Sequence, residues 1–179
     1  MKQILWLFVS FSLFFFDLNG QIDFKNKQIL RELKAFEQPV QLEPLTFENI
    51  SSWKSNFFQL KDSQNIRGYL YIGRLKCFGS DSYVLRQDNN DEFEYFDYFA
   101  IFDLEIVLQK ISIFNYQASY GAEITSKNWL KQFKGYSGSP QLIVGKNVDA
   151  ISGATSSVEA FTKNIEEVTT ALRKAKSTK

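Results

Sequence analysis

Residues 149–157 read Asp-Ala-Ile-Ser-Gly-Ala-Thr-Ser-Ser and lie just before the last helical pattern of the chain. We predict that this helix begins at Ser156, because Glu159 follows three residues later, at the spacing of a reciprocal capping pair. Apolar residues then recur at three- and four-residue steps, at Val158, Phe161, Ile165, Val168 and Leu172. Thr155 would lie one residue outside the cap, beside unpaired backbone N–H groups and the positive end of the helix dipole. That environment suits a phosphate group.

The same stretch resembles the flavinylation motif of the FMN-binding domain family, roughly Asp-x-x-Ser-Gly-Ala-Thr-x-x-Ser/Thr. The matching residues are Asp149, Ser152, Gly153, Ala154 and Thr155. The last motif position falls on Val158 and departs from the pattern. The family includes the flavin-bearing subunits of the sodium-pumping NADH:quinone reductase and of the Rnf complex. The resemblance implies FMN joined to Thr155 through a phosphodiester made by a flavin transferase. From the residues alone, the alternative is a capped helix after an ordinary loop.

A second resemblance to this family covers residues 116–135. Family members carry a Gly-containing turn here, often with a nearby Glu, and then a short helix that ends in a Trp/Phe-x-x-Gln-Phe-like run and Gly. The matching residues are Gly121, Glu123, Trp129, Gln132, Phe133 and Gly135. The Glu-Thr-Pro-Gly-like turn of many members is absent. The whole resemblance spans about residues 66–172.

A flavin has a flat apolar ring system and an anionic tail, so it favours aromatic neighbours at one end and a phosphate-holding turn at the other. We expect Tyr116, Tyr120 and Trp129 beside the ring and the Ser152–Thr155 turn at the phosphate. The predicted cofactor-binding residues are thus Asp149, Ser152, Gly153, Ala154, Thr155, Tyr120, Gly121 and Trp129. Core packing is the alternative for each aromatic residue, since aromatics make up 16% of the chain. We predict no catalytic residue and no metal site.

The first 20 residues have the pattern of a secretory signal peptide. A positive start precedes an apolar run over 4–16 that is too short to span a bilayer comfortably. We expect cleavage before Gln21 and a periplasmic or cell-envelope location; an uncleaved segment would anchor the protein to the membrane by its N-terminus. The predictions of export and of a covalent flavin support each other, because a tethered cofactor is not lost by dilution outside the cytoplasm.

Composition excludes several kinds of site. The chain has 179 residues, a net charge of +1, one cysteine and no histidine, which excludes Ser-His-Asp and Cys-His catalysis and most zinc, copper or haem ligation. Cys77 has no partner for an internal disulfide and is interpreted as a small buried hydrophobe. The acidic run 88–92 lacks the glycine and spacing of a calcium loop, so we interpret it as a solvated turn. The basic C-terminal end suits a helix dipole, and we expect no nucleic-acid partner.

The pattern of elements predicts an α+β fold, with helices packed on an antiparallel sheet and FMN-binding domain-like. We predict a helix over 26–36, an irregular stretch over 45–60, a strand over 67–78 with a bulge or close backbone approach at Gly73, and a short strand over 82–87. The strongest hairpin joins strands 92–102 and 106–116 through a turn at 103–105. Residues 21–65 are interpreted as an N-terminal helix and irregular extension, and 66–179 as the FMN-binding domain.

The leading hypothesis for function is an exported electron carrier with FMN on Thr155. It would exchange electrons with redox partner proteins, in solution or in a membrane complex, and it resembles a redox module more than a complete enzyme. The alternative is a cell-envelope binding or scaffold protein on the same fold, with loose FMN or none.

Overall fold

A computed structural model of the chain describes residues 22–45, 56–63, 65–76 and 94–177. Within these ranges the α-helices are α1 (Lys27–Lys34), α2 (Lys127–Leu130) and α3 (Thr155–Ser177). The strands are β1 (Gln41–Pro44), β2 (Phe57–Lys61), β3 (Ile66–Lys76), β4 (Tyr95–Phe102) and β5 (Leu108–Gln117). Short 3-10 helices at Ala122–Thr125 and Lys131–Phe133 flank α2.

The five strands form one antiparallel sheet, in which each strand pairs with its neighbours along the chain. This arrangement confirms the predicted α+β class with an antiparallel sheet and helices. The predicted hairpin is also present, as β4 and β5. The carboxylate of Asp103 holds its turn, accepting hydrogen bonds from the N–H groups of Glu105 and Val107, both at 2.9 Å.

The sheet includes strands from the N-terminal part of the chain. Strand β2 lies in the stretch predicted to be irregular, and that prediction is wrong over residues 57–60. Phe57 and Leu60 are fully buried, because β2 pairs with β3 and places one side chain on each face of the sheet. The domain boundary predicted between residues 65 and 66 therefore falls between two paired strands.

The atoms that lie closest to Gly73 belong to the side chain of Tyr71. A methyl group at this position would overlap the ring of Tyr71, two residues earlier on the same face of β3. The register of β3 and β4 runs without a shift through Gly73. The prediction of a bulge or a close backbone is therefore wrong, and the glycine instead makes room for a buried tyrosine.

Each face of the sheet is covered by a helix. Helix α3 packs on one face through Val158, Phe161, Ile165, Val168 and Leu172, all of which are buried as predicted. On the other face, Ile29 of α1 packs with Leu60, Leu70, Ile72, Phe99 and Phe114. The helix N-terminus of α1 is capped by the Asn26 side chain, which accepts a hydrogen bond from the Gln28 N–H at 2.9 Å.

Several predictions fall outside the described residues. These are the signal peptide over 1–20, the buried role of Cys77, the strand over 82–87 and the acidic turn over 88–92. Of the residues that the structure describes, none belongs to a helix long and apolar enough to cross a membrane.

Candidate functional site

The helix that carries the flavinylation-like motif begins earlier than predicted. Helix α3 starts at Thr155, and the Val158 N–H donates to the Ala154 carbonyl at 2.9 Å, so Ala154 occupies the capping position. The predicted start at Ser156, with Thr155 outside the cap, is wrong. The cause is a tight turn, in which the Ala154 N–H donates to the Ile151 carbonyl at 3.1 Å and Gly153 has a φ of +80°. This turn directs the chain into the helix directly after Ala154.

Thr155 is exposed and is the first residue of α3. Its backbone N–H and those of the next two residues belong to the first turn, where no intrahelical carbonyl is available to them. The helix dipole adds positive potential at the same end. Ser152 and Gly153 are also exposed. The predicted acceptor hydroxyl therefore lies at the surface, in an environment that favours an anion.

The two stretches that resemble the FMN-binding domain family lie against each other. A Cβ atom added to Gly121 would be 2.5 Å from the Cβ of Ala154 and 3.4 Å from the hydroxyl oxygen of Tyr116. Gly121 also has a φ of +84°, a conformation that L residues rarely adopt. The backbone of one predicted stretch thus packs directly on the small side chain of the other, which leaves no room for a larger residue at either position.

Tyr116, near the end of β5, and Tyr120 lie beside Gly121. The Tyr116 hydroxyl donates to the backbone carbonyl of Tyr120, and the Tyr116 ring stacks on Phe96 with centroids 5.9 Å apart. The Tyr120 side chain itself is 79% exposed. Tyr116 is therefore half-buried and shapes the turn, whereas Tyr120 presents a large aromatic surface to solvent beside Gly121. Contact of either ring with a flavin stays a prediction.

Glu94, the residue before strand β4, holds the same turn. The Glu94 carboxylate accepts a hydrogen bond from the Ser119 N–H at 2.9 Å. The hydroxyl and the backbone N–H of Ser119 together lower the pKa of this carboxyl. An ionised Glu94 thus stabilises the residues that precede Tyr120.

Trp129 is mainly a core residue. It is 9% exposed, and its ring packs on Phe133 and Phe161 with centroids 5.2 and 5.8 Å away. Its indole N–H donates to the backbone carbonyl of Asp149 at 2.8 Å. The structure therefore links Trp129 to the motif through a hydrogen bond, while its predicted place beside a flavin ring stays a prediction.

Gln132 is a site residue that sequence reasoning did not assign. Its Oε1 accepts a hydrogen bond from the Asp149 N–H at 2.7 Å. In the sequence, Gln132 belongs to the Trp-x-x-Gln-Phe run and lies three residues after Trp129. In a helical turn that spacing puts both side chains on one side. The spacing is the signal that could have paired them.

Two buried tyrosines, Tyr71 and Tyr98, lie beneath α3 with their ring centroids 5.3 Å apart. The Tyr98 hydroxyl donates to Asn164 Oδ1 at 2.5 Å. Burial raises the pKa of Tyr98 well above its usual range and raises the pKa of Tyr71 to about 12. Both phenols are therefore neutral near pH 7, and the Tyr98 hydroxyl links Asn164 of α3 to the sheet.

Within the described part of the chain, no group of three or more metal-ligating side chains is present. The chain matches no model of a protein family, and a search of the curated proteins finds no significant match.

Proposed function

We propose that this protein is an exported electron-transfer module that carries FMN covalently on Thr155, in an FMN-binding domain-like fold. The resemblance of residues 149–155 and 116–135 to the FMN-binding domain family motivates the proposal. The single observation that supports it most is that these two stretches, separate in sequence, pack together through Gly121 and Ala154, beside an exposed Thr155.

The residues around Thr155 suit the phosphate end of FMN. Thr155 supplies an accessible hydroxyl, and the first turn of α3 supplies N–H donors that have no intrahelical carbonyl acceptor. The exposed Ser152 and Gly153 add no large side chain that would cover the hydroxyl. Tyr120 offers an exposed aromatic surface next to Gly121, of the kind that an apolar ring system favours.

Attachment is a phosphoryl transfer to the Thr155 hydroxyl. The Thr155 oxygen attacks the phosphorus of a flavin donor that carries a leaving group on its phosphate, such as a flavin dinucleotide. One P–O bond forms to Thr155, and the P–O bond to the departing nucleoside monophosphate breaks. The hydroxyl proton passes to a base of the flavin transferase. The result is a phosphodiester, with no change of oxidation state.

Bound FMN would supply one- and two-electron transfer between redox partner proteins. The protein itself would hold the cofactor at a fixed place outside the cytoplasm, where a dissociating flavin would be lost. The alternative, a cell-envelope binding or scaffold protein with loose FMN or none, differs in one measurable respect, because its Thr155 would stay unmodified.

The test is co-production with a flavin transferase in a bacterial periplasm, followed by intact mass and visible spectra. We expect a mass gain of one FMN less one water, and a yellow colour that persists after denaturation. Thr155→Ala should abolish both. Thr170→Ala, at an exposed threonine of the same helix, is the matched control and should be flavinylated like the wild type. An unmodified wild-type chain, or a flavinylated Thr155→Ala chain, would overturn the proposal.

A further inference from the structure

Trp129 and Gln132 hold both backbone groups of one residue of the motif. The Asp149 carbonyl accepts from the Trp129 indole N–H at 2.8 Å, and the Asp149 N–H donates to Gln132 Oε1 at 2.7 Å. Asp149 itself is exposed. Such double fastening fixes the direction in which the chain leaves Asp149.

The hydrogen bond from the Asp149 N–H fixes the orientation of the Gln132 amide. A backbone N–H is only a donor, so the atom that faces it must be the amide oxygen of Gln132. The other end of the amide, Nε2, is buried and finds no acceptor among the residues that the structure describes. A buried donor without an acceptor is unfavourable, and the bond to Asp149 is the contact that offsets it.

The other end of the motif is fastened as well. Ala154 caps helix α3 and packs on Gly121, while Ser152 and Gly153 between the two ends are exposed. The motif is therefore a short arch that is held at Asp149 and at Ala154, packs partly against the core at Ile151, and is exposed at Ser152 and Gly153. A modifying enzyme that reads this arch needs it in one conformation, because a mobile arch lowers the fraction of chains that it can use.

We propose that Gln132 is a positioning residue for the flavinylation of Thr155 and acts through the Asp149 backbone, with Trp129 as its partner. This inference rests on the proposed function. Neither side chain is placed on the reacting atoms. They hold the arch so that Thr155 is presented to the transferase.

Gln132→Met is the informative variant, since it keeps the length and apolar contacts of the side chain but removes the acceptor. It also removes the unsatisfied Nε2, so the melting temperature should change little. We expect the Asp149 amide to exchange with solvent about fivefold to tenfold faster, the range that loss of one hydrogen bond gives. We expect kcat/KM for flavin transfer to fall by a similar factor.

Four further variants complete the test. Gln132→Glu keeps an acceptor oxygen at the same position and should restore most of the transfer rate. Trp129→Phe keeps the aromatic packing but loses the indole N–H, so it should slow transfer. The double variant Trp129→Phe/Gln132→Met should lower the rate by less than the product of the two single-variant effects, because both side chains hold Asp149. Gln109→Met removes a hydrogen bond to Asp103 in the hairpin turn and should leave transfer unchanged.

The outcomes separate this inference from the proposed function. If the wild type accepts FMN on Thr155 and Gln132→Met accepts it at the same rate, the inference is wrong and the function stands. If Gln132→Met is slow only because it unfolds, or Gln132→Glu gives no rescue, the inference is also wrong. If the wild-type chain accepts no FMN, the function fails and the inference fails with it.

Discussion

At the scale of single residues, Gly121 and Ala154 set how closely the two stretches of the site approach. Both residues were predicted from the sequence, each within its own stretch, but neither stretch contains a local signal that predicts their contact. The same holds for Gln132 and Asp149, which are 17 positions apart and touch only because α2 and the following turn fold back on the motif. Residue types were thus predictable at this site, whereas the pairings between distant residues were not, since they depend on tertiary structure.

We expect Gly121→Ala to destabilise the protein by about 2–4 kcal/mol. About 1–2 kcal/mol comes from the left-handed conformation and the rest from overlap with Ala154. Gly145→Ala is the matched control, because Gly145 also has a positive φ but a Cβ there would meet no atom within 4 Å. Urea unfolding of both variants measures the difference. Equal losses for the two would show that overlap with Ala154 contributes nothing.

At the scale of elements, helix α3 shows what a hydrophobic pattern does and does not determine. All five residues of its predicted apolar stripe are buried, because a period of three to four residues reports the buried face directly. Its cap was predicted at Ser156, two residues after the Ala154 cap of the structure, because the capping spacing competes with the turn that the positive φ of Gly153 permits. Strand β2 was missed because Phe57 and Phe58 follow each other without the alternation that marks a strand.

The tyrosine pair beneath α3 predicts an alkaline loss of stability. The pKa of Tyr71 is about 12 in the folded protein against 10 in a free tyrosine, so the folded state retains the phenolic proton more strongly. Its contribution is therefore complete below pH 10 and is lost as the pH rises from 10 towards 12. Urea midpoints measured from pH 8 to 11 should fall above pH 10.

The double variant Tyr71→Phe/Tyr98→Phe should be less stable at pH 8, because Asn164 loses its donor, at a cost of about 1–3 kcal/mol. It should also show a flatter profile above pH 10. Tyr120→Phe, at an exposed tyrosine, is the control and should follow the wild type. A wild-type profile that stays level to pH 11 would contradict the expectation.

At the scale of the whole molecule, the sheet joins residues from both sides of the predicted boundary at 65 and 66. The fold class was accessible from sequence because alternating strands and an amphipathic helix each carry a local signal. The sequence did not reveal that N-terminal residues belong to the same sheet, because the pairing of β2 with β3 depends on contacts that only the folded chain makes.

We predict that a chain beginning at Ile66 does not fold cooperatively. It would lack the buried Ile29, Phe57 and Leu60, and truncating a single buried side chain of this size to alanine already costs about 2–5 kcal/mol of a net stability of about 5–15 kcal/mol. Thermal unfolding followed by circular dichroism should show a sharp transition for the chain from Gln21 and none for the shorter chain. A transition of the shorter chain within a few degrees would contradict this.

The pairing of every strand with its neighbour in the chain has a consequence for assembly. In such a sheet each described strand pairs with the strand that follows it in the chain, and pairing between neighbours in sequence favours faster folding than pairing between distant strands. The arch before Thr155 is held by contacts with Gly121, Trp129 and Gln132, so its shape depends on tertiary contacts of the folded protein. A transferase that requires the shaped arch would thus pass over immature molecules, and the yellow colour would mark those that have matured.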